Sequence, residues 1–357
     1  MTMLLDEKTT SLERAPLRHA RLPRWAPALV LVLAFAASAL IGLLLGWGPS
    51  GIVILALLLY LVALPLWSLA LENRRSATDR LVTGLVWVAL GIAFVPLVSL
   101  LYMVISKGLP VLDAKFFTYS MRNIIGEKGG IYHAIIGTLL ITASAAVISV
   151  PIGLLTAIYL VEYGARSKMA SSIRFLVDVM TGIPSIVAGL FAYALFVLFL
   201  GPGVHIGIGG GVALSLLMIP IVVRSAEEML KLVPADLREA AYALGVPKWR
   251  TIVKVVLPTA MAGIITGITL AIARVIGETA PLLIIAGATD STNFNLFKDQ
   301  MQTLPVFIYY SYTQPGNHPE IARPMAWGAA LVLILIVLVL NLLARVLGRL
   351  FAPKTGH

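Results

Sequence analysis

The stretch from Ala26 to Leu71, APALVLVLAFAASALIGLLLGWGPSGIVILALLLYLVALPLWSLAL, decides the fold class. It contains two apolar runs, Ala26–Trp47 and Gly51–Leu71, joined by the turn-forming tripeptide Gly48-Pro49-Ser50. Each run is long enough to cross a hydrocarbon core of about 30 Å as a helix rising ~1.5 Å per residue. Arg18, Arg21 and Arg24 precede the first run, and Ala36-Ala37-Ser38-Ala39 has the small residues of a processing site. The run is nevertheless too long for a signal-peptide core and a second follows at once, so both are read as a membrane hairpin.

Six further apolar segments follow: Leu81–Ile105, Ile131–Val161, Phe175–Leu200, Gly211–Val223, Leu257–Ile285 and Ala326–Ala344. Gly211–Val223 is too short alone and must borrow flanking residues. The expected fold is therefore an all-α polytopic membrane protein of about eight transmembrane helices. Residues 1–80 form an N-terminal segment and two-span hairpin, 81–344 a six-span domain, and 345–357 a tail.

Composition agrees. Hydrophobic residues make up 59% of the 357 positions and charged residues 12%, against roughly 45–50% and about 25% in an ordinary soluble domain. Mean hydropathy is +0.95. There is no cysteine, which removes disulfides and thiolate metal sites. The five histidines, His19, His133, His205, His318 and His357, have no metal-ligand spacing. A net charge of +10 raises nucleic acid as a partner, but the basic residues lie between apolar runs rather than in one patch with interleaved aromatics. They instead set topology. With the N-terminus inside, twenty of the 27 lysines and arginines fall in inner segments and six in outer ones, with Arg274 within a span. This bias places both termini in the cytoplasm of a multi-pass protein.

The longest inner connection, 224–256, carries the first functional signal. Leu237, Ala240, Ala241 and Leu244 form an apolar stripe at helical spacing, and Gly245 followed by Pro247 supplies a helix stop. A short helix of this kind fits either a groove on a partner protein or the membrane surface. The segment reads Glu239-Ala240-Ala241, three residues, Gly245, nine residues, then Val255-Val256-Leu257-Pro258. It resembles the EAA loop of the binding-protein-dependent ABC importer permeases, departing from the consensus only at Val255. That resemblance implies that 234–258 is the loop coupling the pore to an ATPase subunit, with Asp236, Glu239, Ala240, Ala241 and Gly245 at the coupling surface. The chain has no phosphate-cradling G-x-x-x-x-G-K-[ST] segment. ATP hydrolysis is thus expected on another chain, and no enzyme activity or cofactor is expected here.

The second signal is Arg274 with Glu278, which interrupt the span after that loop. Ionisable groups at membrane depth are costly and face protein or water. Gly263, Gly267, Ala271, Arg274 and Glu278 recur at spacings that share one helix side, so small residues that admit a neighbouring helix continue into two charges. A self-neutralising intrahelical pair is the plainer reading, though arginine preceding glutamate at i, i+4 is the weaker orientation. The run Arg274-Val-Ile-Gly277-Glu278-Thr279-Ala280-Pro281-Leu282-Leu283 resembles the signature of the PstA family of phosphate-specific permeases. The stretches Gly182-Ile-Pro184-Ser185-Ile-Val-Ala-Gly189-Leu-Phe and Leu304-Pro305-Val306-Phe-Ile-Tyr309 are similar to the same family.

The resemblance covers about 81–344 and implies a six-span permease core in a bacterial inner membrane. It also implies that Arg274, Glu278 and Thr279 line the translocation pathway. The implied partners are a PstC-like permease, a PstB-like ATPase dimer, an extracytoplasmic PstS-like phosphate-binding protein and inorganic phosphate, with the bilayer around them and no nucleic acid. The guanidinium suits the substrate, since it offers paired donors to phosphate oxygens. Sulfate or molybdate remains open, because one arginine does not identify an oxyanion; an ion-coupled secondary transporter and a membrane-embedded enzyme are the alternative classes, but no second copy of the Arg-Glu stripe and no converging nucleophile and base are found.

Lesser signals have plainer readings. Arg174 and Asp178 are taken as an interfacial i, i+4 pair, and Pro184 as a helix bend. Phe307, Tyr309, Tyr310 and Tyr312 are taken as an interfacial belt or a docking surface. His133 needs no functional role.

Overall fold

The computed structural model describes residues 22–124, 128–164 and 167–350, with side chains omitted at 347, 349 and 350. The basic segment before Leu22, Arg166 and the tail from 351 onward, which entered the topology argument, lie outside the described residues. Seven described helices are long and apolar enough to cross a membrane, or eight when one bent pair counts as a span. The expected all-helical polytopic fold is present. Two compact units divide at Leu101 and Tyr102.

The first unit holds α1 (Ala26–Leu45), α2 (Pro49–Leu71) and most of α3 (Arg74–Gly108). The hairpin turn lies slightly earlier than Gly48-Pro49-Ser50. Gly46 ends α1 at φ +67°, and Pro49 is the first residue of α2, where its missing N–H costs nothing. A Cβ at Gly42 would lie 2.4 Å from the Ile52 side chain, so glycine is what lets α1 and α2 close on each other. The end of α2 is organised by Glu72, only 4% exposed. It accepts from the Leu22 backbone N–H and the Ser68 hydroxyl at 2.6 Å, and from Arg80 at 2.9 and 3.1 Å. The Arg80 and Ser68 hydrogen bonds outweigh burial and hold its carboxyl down at about 2.

The second unit continues through α4 (Ala114–Thr118) to α5 (Tyr132–Ile158), which runs on into a π-helical turn, Tyr159–Tyr163. Next come α6 (Lys168–Thr181), α7 (Ser185–Leu200) and α8 (Gly207–Lys231). Phe175–Leu200 is therefore not one continuous helix. The chain bends by 107° between α6 and α7. Pro184 has no N–H to continue the ladder, and Gly182-Ile183-Pro184 breaks the helix rather than bending it gently. Gly211–Val223 does extend, as expected, into the full length of α8.

α5 and α8 are the central pair. A Cβ at Gly153 would lie 2.7 Å from Val222, and one at Gly211 would lie 2.0 Å from the Ser144 hydroxyl. Hydrocarbon supplies no hydrophobic drive between helices, and close backbone approach through small residues supplies packing instead. Beyond α8 lie α9 (Ala235–Ala243), α10 (Lys248–Thr251) and a second π-turn, Ile252–Val256, which leads into α11 (Leu257–Val275). Then come α12 (Ala280–Ile285), α13 (Leu304–Thr313) and α14 (Pro319–Leu350). The run Leu257–Ile285 is thus interrupted as well, since α11 stops four residues before α12 begins.

His133 is buried, with its Nε2 3.1 Å from Gln302 Oε1, a structural contact. The aromatic group divides: Phe307 is 3% exposed in the core, whereas Tyr309 and Tyr312 are 42% and 49% exposed.

Candidate coupling surface and translocation site

α9 holds four of the five residues predicted to couple, and Gly245 lies just past its end. Asp236 lies in its first turn, and Glu239 and Ala240 are exposed, while Ala241 turns inward, 8% exposed. Leu237 and Leu244, seven positions apart and so on one side of the helix, are 41% and 83% exposed, leaving apolar surface uncovered by this chain, and Tyr242 on another side is 42% exposed. The helix ends in a Schellman motif. Gly245 takes φ +72°, its N–H donates to the Tyr242 carbonyl at 2.9 Å, and the Val246 N–H donates to the Ala241 carbonyl at 3.1 Å. A Cβ at Gly245 would meet nothing within 4 Å, so glycine is needed there for its left-handed backbone and not for space.

Polar contacts that spacing did not reveal tie this end of the bundle together. Arg238, on α9, donates to Glu162 at 2.9 and 3.1 Å and to the carbonyls of Val233 and Leu230 at 2.6 and 3.0 Å. Lys248 donates to the Glu162 carbonyl and lies 4.8 Å over the Tyr163 ring. The expected Arg174–Asp178 pair does not form. Arg174 reaches across to Glu227 at 2.9 Å, and Asp178 pairs with Arg224. Glu227, 2% exposed, also meets Lys231 at 2.8 Å, so a buried carboxylate at the end of α8 is shared by bases from two helices. Burial favours that non-local geometry, because an unpaired carboxylate there would be expensive.

Arg274, Glu278 and Thr279 occupy the junction between α11 and α12, about 25 Å along α11 from its start at ~1.5 Å per residue. They are not brought near the α9 residues. The small-residue stripe packs on α8 of the same chain, with Gly263 against Met229 and Gly267 against Ser225. Those pairs run antiparallel, and Val275 joins Met218 in the core, so Arg274 sits near the middle of α8. Glu278 is not on α11: its N–H donates to the Val275 carbonyl in the turn that closes the helix. The turn still returns its carboxylate to Arg274 at 2.9 Å. The Arg274 side chain is 68% exposed and that of Glu278 14%, so the guanidinium projects from the chain at membrane depth. Thr279 precedes α12, and its carbonyl accepts the Leu282 and Leu283 N–H groups. α12 is locked against α7, where a Cβ at Gly189 would lie 2.5 Å from Pro281.

Residues 149–357 match the family described as binding-protein-dependent transport system inner membrane component. This chain belongs to that family. It is a multi-pass inner-membrane transport permease, and its matched region contains α6 to α14 with both groups of candidate residues. It is 47% identical over 277 residues to the phosphate transport system permease protein PstA 1 of Mycobacterium tuberculosis strain H37Rv, covering 77% of this chain and 88% of that protein. It is 40% identical over 272 residues to the phosphate transport system permease protein PstA of Pasteurella multocida, covering 76% and 95%. A solved structure of the MetNI methionine ABC transporter in an inward-facing conformation aligns over 62% of this chain and 94% of that chain, at 19% identity and a TM-score of 0.49.

Proposed function

We propose that this chain is the permease subunit of an ATP-driven phosphate importer, forming half of the translocation pore. The observation that carries this reading is its 47% identity, over most of both chains, to a phosphate transport permease. Nucleotide turnover belongs to a separate ATPase dimer, PstB-like, that docks on the exposed apolar face of α9. The other half of the pore is a PstC-like permease, and an extracytoplasmic PstS-like protein delivers phosphate. The chain itself needs no cofactor. The end bearing α9, rich in lysine and arginine, faces the cytoplasm together with both termini.

In this reading Arg274 lies on the pathway. A guanidinium projecting at mid-span would be intolerable against lipid, so a partner pore half and water cover it. Passing phosphate replaces Glu278 as the partner of Arg274, and Glu278 recovers it afterwards. Because the anion competes with a carboxylate already in place, it is held weakly enough to leave.

The test is uptake of labelled oxyanions into vesicles containing the four components. Phosphate should accumulate, and excess sulfate or molybdate should not suppress it. Accumulation of sulfate or molybdate in its place would reassign the substrate.

A further inference from the structure

We propose that Arg238 and Glu162 form a positioning pair that makes the coupling helix α9 move as one body with the end of α5. The proposal rests on the reading of α9 as the coupling helix. Arg238 is half of a largely buried ion pair, its side chain 19% exposed and that of Glu162 5%. The same guanidinium also donates to the carbonyls of Leu230, in the last turn of α8, and Val233, just beyond it. One side chain thereby joins three elements: α9, the end of α8 and the π-turn that closes α5.

A second anchor comes from the chain beyond the C-terminal end of α9. Lys248, at the start of α10, reaches the carbonyl of the same Glu162 and covers Tyr163. The segment from α9 to α10 is therefore held to the end of α5 at two points, with Leu237 and Leu244 left exposed. A push on those side chains is delivered to α5 through charged hydrogen bonds rather than dissipated in a loop. α5 is in turn keyed to α8 at Gly153–Val222 and Ser144–Gly211, so the displacement continues into the transmembrane core.

Energetics favour a geometric role over plain stabilisation. Buried ion pairs frequently contribute no more to stability than apolar replacements of similar size, whereas removing one partner strands the other charge. A pair placed where an external helix meets the core fixes direction and register. The π-turns Tyr159–Tyr163 and Ile252–Val256 lie at the two helix ends that flank α9, at positions where such turns recur in functional segments.

The experiment uses the complete reconstituted importer and measures phosphate moved per ATP hydrolysed for Arg238→Gln, Glu162→Gln and the double variant. Each single change should lower that ratio roughly tenfold, within the usual range of intersite coupling, while hydrolysis continues. The double variant should be no worse than the worse single one, because both remove the same contact. Arg238→Lys should be intermediate, since it keeps charge but loses the fork, and it provides a reading if the glutamine variants do not assemble. A wild-type ratio in Arg238→Lys and Glu162→Gln, or losses that multiply in the double variant, would overturn the pair. Gly245→Val separates the two levels. Normal transport by that variant removes the coupling-helix reading itself, whereas uncoupling by it alongside normal Arg238 and Glu162 variants removes only the pair.

Discussion

Arg274 and Glu278 stand 2.9 Å apart, yet the arginine side chain is 68% exposed and the glutamate 14%. A pair that existed only to neutralise itself would gain nothing from turning its cation outward. Arg274→Gln should therefore abolish most phosphate uptake while complex assembly persists, and Arg274→Lys should restore part of it. Removing both charges, as Arg274→Gln with Glu278→Gln, should leave uptake deficient; near-normal uptake at matched complex abundance would reduce the pair to charge balance. Glu72 offers a pH-dependent case. Its carboxyl is held at about 2 against an ordinary value of 4.5, so its contribution to stability is complete above pH 4.5 and is lost as pH falls toward 2. Melting wild type beside Glu72→Gln from pH 7 to pH 2 should show an advantage that stays constant down to about pH 4.5 and then shrinks. An advantage that grew on acidification would contradict the hydrogen-bond assignment. Arg274, Glu278 and Gly245 were legible in the sequence because each breaks a local pattern. Arg238–Glu162 and Arg174–Glu227 were not, because their partners lie 76 and 53 residues away. The only local hint at Glu162 and Glu227 is an acid at the edge of an apolar run among bases.

Helices were legible where apolar length alone decides them, and less so where backbone chemistry interrupts the run. Hydropathy merges α6 with α7 and α11 with α12, because each break is only three or four residues long and is flanked by apolar sequence on both sides. Pro184 marked the first break, but a proline in the sequence does not specify the 107° angle found there. The second break carries weaker punctuation, Gly277 after α11 and Pro281 in the first turn of α12. α9 was legible down to its terminating residue, since the left-handed cap at Gly245 admits few alternatives. Gly245→Val should cost roughly 1–2 kcal/mol of local conformational energy, the scale for a left-handed residue with a Cβ. That cost should tilt the apolar face of α9 without disturbing the spans. The expected outcome is intact insertion with lost ATPase binding or uncoupled hydrolysis, read by co-purification and by uptake per ATP.

At the scale of the whole molecule, the first two helices stand apart from the family-matched region, which begins at residue 149. Their exposed leucines, among them Leu43 and Leu44 at 79%, suit contact with lipid. Deleting residues 1–73, which ends just before α3, should leave phosphate uptake largely intact if the hairpin is an anchor. A complex that assembles without uptake would give it a necessary role. The most direct test of the central claim is the energy source. Vesicles holding this chain with its partner permease, ATPase and binding protein are supplied either with ATP alone or with an imposed ion gradient and no ATP, and labelled phosphate accumulation is measured. Accumulation with ATP and none with the gradient is the expected result. Accumulation driven by the gradient without ATP would contradict the assignment and identify a secondary transporter.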